Sequence, residues 1–278
     1  MSRGKLYRLA AFPDGREGGN PAGVWTGDAL PDPQTMQAIA QDVGFSETAF
    51  VAPRSGRDYL VRYYSPEAEV SFCGHATIAT GVVLGRNHGE GTYGLRTAAG
   101  VVPVAVRRRD QEFEASLTSV EPRHEPVPDG LLEGVLAALA WSSQDIDNSI
   151  PPVTAYAGAW HLVLAVRDAA RLARLQYEFD ALKTLMLAHD LTTLQLVWRE
   201  RADLFHSRNP FPVGGVVEDP ATGASAAALG GYLRNAGLVR PPFRFTVRQG
   251  EAMGRPSVLA VEVPHSGGII VAGLAIDL

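Results

Sequence analysis

One cysteine in 278 residues, Cys73, leaves no partner for an intramolecular disulfide and no cysteine-built zinc or iron–sulfur cage, a usage that fits a reducing compartment. Long apolar runs are missing too. Even residues 131–141 are interrupted by Glu133 and fall short of the ~18 residues that a membrane span needs. Positive charge is not in excess: 25 basic against 30 acidic side chains leave a net charge of −5. That balance argues against nucleic acid or an anionic membrane as partner and leaves small molecules as the expected one. Residues 1–12 mix Arg3, Lys5 and Arg8 with apolar residues and have neither the apolar stretch nor the small-residue cleavage site of a signal peptide, so the expected location is cytoplasmic. The dinucleotide and P-loop glycine patterns and the Gly-x-Ser-x-Gly elbow are absent. The seven histidines show no His-x-x-x-His and no clustered His/carboxylate spacing, so no catalytic metal is expected.

What is present is enough for a core. Hydrophobic residues make up 46% and charged residues 20%, and the length suggests two modest domains. Residues 6–12, 49–51, 59–64, 101–106, 112–117, 162–166, 193–198, 243–247, 258–263 and 269–275 read as short strands, β-branched or alternating and bounded by Gly, Pro or Asp. Helix signals are fewer: Asp32-Pro33 opens one toward Val43, Asp129 opens 131–140, Asp180 opens 181–188, and two glycine-led helices start near Gly74 and Gly223. Meandering strands with occasional helices indicate an α+β layout. The two glycine-led segments echo one another, with Gly74, Ala79, Gly81 and Leu84 falling opposite Gly223, Ala228, Gly230 and Leu233 at a constant offset. Half the chain separates them, as a duplication would require, although small-residue helices also look alike without one. Residues 120–129, rich in Pro and charge, read as the linker.

Both glycine-led segments, Phe72-Cys73-Gly74-His75-Ala76-Thr77 and Glu218-Asp219-Pro220-Ala221-Thr222-Gly223-Ala224-Ser225, read as strand-to-helix turns. Such helix starts present free N–H groups and the positive end of the helix dipole, and glycine lets an anion approach the backbone. The same glycines equally serve close helix–sheet packing. Gly18-Gly19-Asn20-Pro21-Ala22-Gly23-Val24 reads as a glycine-rich turn into a strand. Phe45-Ser46-Glu47-Thr48-Ala49-Phe50 puts a lone carboxylate at the mouth of an apolar strand; it either points to water or, packed against Phe45 and Phe50, becomes a tuned proton carrier. Cys73 and His75, two apart at a helix start, are expected to point in different directions, with Cys73 a buried structural thiol. Arg107-Arg108-Arg109-Asp110 reads as a charged hairpin tip.

Taken in order, Gly19-Asn20-Pro21-Ala22-Gly23-Val24, Ser46-Glu47-Thr48-Ala49-Phe50, Phe72-Cys73-Gly74-His75-Ala76-Thr77, Glu218-Asp219-Pro220-Ala221-Thr222-Gly223 and Gln249-Gly250 with Met253-Gly254-Arg255-Pro256-Ser257 resemble the PhzF family of phenazine biosynthesis isomerases over nearly the whole chain. The resemblance implies a diaminopimelate-epimerase-like α+β fold. Two similar domains, 1–120 (open to completion by the C-terminal strands) and 121–278, would each wrap a curved sheet around a central helix, with the active site in the cleft between them. It also implies a homodimer, no cofactor, and a small carboxylate substrate. By motif position Glu47 resembles the proton-shuttling acid/base, and His75 and Asp219 the polar partners that orient the substrate. Asn20, Ser46, Cys73, Gly74, Thr222, Gly223 and Ala224 fall at substrate-binding positions.

Two departures matter. Ala224 stands where many members have Ser, which removes a hydroxyl but leaves the backbone donor. Cys73 sits where related amino-acid epimerases carry one of two catalytic thiols, but Thr222 holds the matching position, so racemisation by two thiols is excluded. Three readings remain open: an isomerase working through Glu47, an epimerase or racemase with Cys73 or Glu47 as one base, and a metabolite-binding protein that kept the cleft.

Overall fold

The computed structural model describes residues 4–278; Met1, Ser2 and Arg3, which open the stretch read above as lacking a signal peptide, lie outside the described residues. The chain forms two units, one of the described residues up to Thr118 together with Ala272–Leu278, the other of Ser119–Val271.

In the first unit β1 (Gly4–Ala11) pairs antiparallel with β2 (Asn20–Gly27). Helix α1 (Pro33–Val43) then carries the chain to β3 (Glu47–Ser55), parallel to β2, and β3 turns back into β4 (Asp58–Tyr64). Asp32 starts α1 by accepting the Thr35 N–H at 3.0 Å, with Pro33 in the first turn, and Gly44 ends it in the left-handed region. After the short β5 (Glu69–Val70) comes α2 (Gly74–His88), then the meander β6 (Gly91–Thr97), β7 (Gly100–Arg109) and β8 (Glu112–Thr118). β6 lies parallel to β4, and the C-terminal strand Ala275–Asp277 pairs antiparallel with β1. The arginine run ends β7 as a hairpin tip, but two of its members also serve the interior: Arg107 and Arg109 reach the buried Glu114 at 2.5 and 2.8 Å.

Helix α2 has no polar face because it has no outer side. Every residue from His75 to Gly85 is buried, and the helix packs against β1, β2, β3, β7 and β8. Glycine and alanine are what such a position demands. A Cβ at Gly81 would lie 2.7 Å from both Ala115 Cβ and Val104 Cγ1, of which the first cannot rotate away. Gly81→Ala should therefore destabilise the protein by about 1–3 kcal/mol through overpacking, reduced by the ~1 kcal/mol that alanine gains in helix propensity. A melting temperature at or above that of the parent would show that the sheet yields at Ala115.

In the second unit the order is β9 (Arg123–Glu125), α3 (Leu131–Ala138), β10 (Val153–Tyr156), β11 (Trp160–Ala165), α4 (Ala169–Ala173), α5 (Phe179–Ala188), β12 (Leu191–Arg201), β13 (Leu204–Arg208), β14 (Pro210–Phe211), β15 (Val216–Glu218), α6 (Gly223–Asn235), β16 (Phe243–Gln249) and β17 (Ser257–Val263). Strand neighbours run β9–β10–β11–β12–β13–β16–β17, with β11–β12 and β13–β16 parallel. Strand alternation sorts the residues of β11 and β12 into two layers. Leu162, Leu164, Leu194 and Leu196 join Leu131, Val135, Leu182 and Met186 of α3 and α5 in one apolar cluster. His161, Thr193 and Gln195 occupy the opposite face, on the side of α6, which is itself buried from Ser225 to Leu233.

Several boundaries differ from the sequence reading. α3 stops at Ala138 because Leu139 closes the last turn and Ala140 takes a positive φ of 51°, and its start is Gly130 in the left-handed region rather than an Asp129 cap. α5 begins at Phe179, two residues before 181. The strand expected at 269–275 is two pieces, Ile270–Gly273 and Ala275–Asp277. Residues 120–129 are more than a linker, since β9 pairs there with β10.

Candidate active site

Glu47 opens β3, beside Ala22 of β2. Alternation sends Glu47 and Ala49 to one side of the strand and Phe50 to the other, where it packs with Trp25, Met36, Ala40 and Tyr64. Of the two settings open for this carboxylate, packing against Phe50 is thus not the one it has. Its neighbours come from the start of α2. Cys73 Sγ donates to Glu47 Oε2 at 3.4 Å, and His75 Nε2 stands 3.3 Å from the same oxygen.

Cys73 and His75 point together, not apart. Cys73 precedes the helix with extended φ and ψ of −145° and 118°, so the helical angle between positions two apart does not apply, and its sulfur reaches 3.4 Å from His75 Nδ1. Ser46 Oγ touches the other ring nitrogen, Nε2, at 3.3 Å. Both Cys73 and His75 are buried while Glu47 is about one-fifth exposed, so the carboxylate is the cluster's outlet to solvent. The turn is held from below. The Cys73 carbonyl accepts the Thr77 N–H at 3.1 Å and the Thr77 hydroxyl at 2.6 Å. With its own proton spent there, Thr77 Oγ1 accepts from Tyr63, whose hydroxyl lies 2.6 Å away. Burial raises the Tyr63 pKa well above the ordinary phenol value and keeps it a donor. Around Gly74 there is room: a Cβ built there meets no atom within 4 Å. The helix start, whose first N–H groups have no partner within the helix, is open beside the carboxylate.

The second unit builds its own polar turn ahead of α6. Thr222 Oγ1 donates to Asp219 Oδ2 at 2.6 Å, and the Asp219 N–H is held by the Asn209 carbonyl at 3.0 Å. Gln249 clamps the loop. Its Nε2 donates to the Asp219 carbonyl at 2.7 Å and to Thr222 Oγ1 at 3.0 Å, and its Oε1 accepts the Thr222 N–H at 3.2 Å. Gly250 is required next to it: at φ 76° a Cβ would stand 2.3 Å from the Arg255 carbonyl and 2.8 Å from that of Pro220. Beneath the turn Ser225 Oγ donates to the Thr222 carbonyl at 2.9 Å and accepts from Asn209 Nδ2 at 2.7 Å. Ala224 is half-buried, and the Ser225 hydroxyl is turned inward, so it does not replace the hydroxyl that Ala224 lacks.

From Asn209 the polar chain continues to Thr193 and His161, with His161 Nδ1 2.8 Å from Thr193 Oγ1, and separately to Ser207 and Gln195. Glu218, next to Asp219, forms a bidentate pair with Arg208, which also donates to the carbonyls of Leu172 and Ala173. Asn20, also expected at the site, is buried at the start of β2 opposite Ala11. A recess of about 640 Å³ in the first unit, lined by Leu30, Leu60, Arg62, Glu69 and Arg96, contains none of the candidate residues, and its arginines are taken by Glu69 and Asp58.

Sequence reasoning missed Asn209, Ser225 and the clamping role of Gln249. Asn209 lies in no motif, and Ser225 ends the second glycine-led segment without any local sign of the contacts its hydroxyl makes. Among the described residues no helix is long and apolar enough to cross a membrane.

Strands packed around a buried, glycine-led helix, once in each unit, give the diaminopimelate-epimerase-like α+β fold. Residues 9–276 match the family model PhzC-PhzF, phenazine biosynthesis-like protein, and the chain belongs to that family of isomerases. An uncharacterized isomerase of Clostridium acetobutylicum is 32% identical over 93% of this chain and 89% of its own. The trans-2,3-dihydro-3-hydroxyanthranilate isomerase of Pseudomonas fluorescens is 30% identical over 87% and 84%. A solved structure from Pseudomonas aeruginosa, described as a predicted epimerase, superposes with a TM-score of 0.84 at 26% identity, covering 98% of this chain and 96% of that one.

Proposed function

We propose that the protein is a cofactor-independent isomerase of a small carboxylate, moving a proton from one carbon of the substrate to another through Glu47. The observation that carries this reading is the setting of Glu47: a carboxylate with one edge in solvent, contacted by Cys73 and His75, beside the open start of α2. A carbon acid is hard to deprotonate, and two things lower its barrier. A fixed carboxylate takes the proton without diffusion, and fixed donors stabilise the charge that develops on the substrate carboxylate as the C–H bond breaks. The N–H groups at the start of α2 around Gly74, which have no partner within the helix, and the His75 ring are the donors assigned to this role. Delivery of a proton from Glu47, which exchanges with solvent at its exposed edge, to a different carbon completes an isomerisation with no net gain or loss of atoms. Asp219, fixed by Thr222, is the polar group we assign to substrate orientation from its motif position.

The test uses deuterated water and a panel of small amino and hydroxy carboxylates, read by mass. Deuterium uptake with a shifted double bond and an absorbance change supports the isomerase. Uptake at one stereocentre with loss of optical activity supports the second reading, an epimerase with Cys73 or Glu47 as one base and a second group on the opposite face of the substrate. Exhaustive dialysis against a chelator should leave turnover undiminished. Recovery only on addition of a metal, flavin or nicotinamide would overturn the cofactor-independent mechanism.

A further inference from the structure

The Glu47–Cys73–His75 cluster has a geometry that proton transfer alone does not require. Its three donor atoms are a thiol sulfur, an imidazole nitrogen and a carboxylate oxygen, all within 4.8 Å of one another. Zinc binds such ligands tetrahedrally at about 2.3 Å to sulfur, 2.0–2.1 Å to nitrogen and 2.0–2.2 Å to oxygen, which places ligand atoms about 3.3–3.6 Å apart. Here Oε2–Nε2 is 3.3 Å, Oε2–Sγ 3.4 Å and Sγ–Nε2 3.8 Å, so an ion fits the triangle with shifts of a few tenths of an ångström. We infer that this cluster is a reversible site for a thiophilic divalent cation, zinc above all, and that the bound ion switches the enzyme off.

Charge favours the complex. A thiolate, a carboxylate and a neutral imidazole cancel the two positive charges of the ion, which matters where two of the three ligands are buried. The thiol proton of Cys73 leaves to solvent on binding. Access is through the exposed edge of Glu47 and the space above Gly74, and there a water completes the fourth position. Ser46 Oγ, 3.3 Å from Nε2, must turn aside, which an exposed serine does freely. Inhibition, which rests on the reading of Glu47 as proton carrier, follows because the ion occupies the oxygen that would take the proton.

Cobalt(II) and zinc titrations of chelator-stripped protein test the site without any substrate. One equivalent of cobalt should give visible bands of tetrahedral intensity together with a near-ultraviolet thiolate-to-cobalt band. One equivalent of zinc should remove them and should shield Cys73, the only thiol of the chain, from a thiol reagent. Cys73→Ser should abolish the thiolate band and weaken zinc about a hundredfold, the scale expected for losing one of three protein ligands. His206→Ala, which removes the surface histidine held between Glu200 and Glu251, should change nothing. Octahedral spectra, binding lost with His206, or a thiol that zinc does not shield in the parent protein would overturn the site, the last independently of whether any variant folds. Stoichiometric zinc that shields Cys73 but leaves deuterium exchange into a turned-over carboxylate undiminished would keep the site and overturn the role given to Glu47.

Discussion

Glu47→Gln should slow turnover by about 10²–10⁴-fold while leaving substrate affinity within a few-fold of the parent. The amide keeps the volume at the start of β3 and can still accept from the Cys73 thiol, but it has no proton to carry at neutral pH. A loss confined to kcat separates proton transfer from binding. Cys73→Ser is the necessary counterpart. Serine retains a donor toward Glu47 Oε2, and the matching position of the second unit, Thr222, has no acidic thiol, so activity should stay within about tenfold. Saturation kinetics on both variants decide the matter. A dead Cys73→Ser beside a near-normal Glu47→Gln would move the proton to the thiol and promote the epimerase.

How much of this site could be read from the sequence follows from which contacts are local. The two glycine-led helices were legible because burial on every side dictates their composition, and α1 because Asp32 and Pro33 mark its start within four residues. The convergence of Glu47 with Cys73 and His75 was not. It depends on β3 lying beside the start of α2 and on Cys73 having extended rather than helical backbone, and neither is written in spacing. The same blindness hid the possibility of a metal site: search patterns for metal ligands assume neighbours in sequence, and Glu47 stands 26 residues from Cys73.

Strands that carry glycine and proline are hard to delimit from sequence: residues 18–24 read as a turn leading into a strand, and residues 91–97 give no strand signal. Asn20–Gly27 contains Pro21, Gly23 and Gly27, yet it pairs with β1 along its whole length and with β3 on its other edge. Gly91–Thr97 is short and holds two glycines, yet it bridges β4 and β7. In both, tertiary pairing overrides a weak local preference. The polar chain of the second unit was equally invisible, because His161, Thr193, Asn209 and Ser225 sit on different elements and only strand register makes them neighbours. Read singly, His161 carries no motif that sets it apart from the other six histidines.

That histidine should make the protein acid-sensitive. His161 is fully buried, its Nε2 has no partner among the described residues, and burial lowers its pKa from an ordinary 6.5 to about 3. Between those values the unfolded chain holds a proton that the folded chain refuses, so acid favours unfolding. The stabilisation is fully present above about pH 6.5 and is lost progressively as the pH falls toward 3, at most about 1.4 kcal/mol per unit and about 4–5 kcal/mol in all. Carboxylates elsewhere also contribute to acid unfolding, and a variant removes their share. His161→Gln is neutral across the whole range, so the stability difference between parent and variant, taken from urea unfolding at pH 7.5, 6, 5 and 4, isolates the imidazole. That difference should be constant above neutrality and should shift steadily against the parent below pH 6. A difference that stays level down to pH 4 would mean that the folded protein admits the proton at His161, by water entering beside Thr193 or by the strands opening around it.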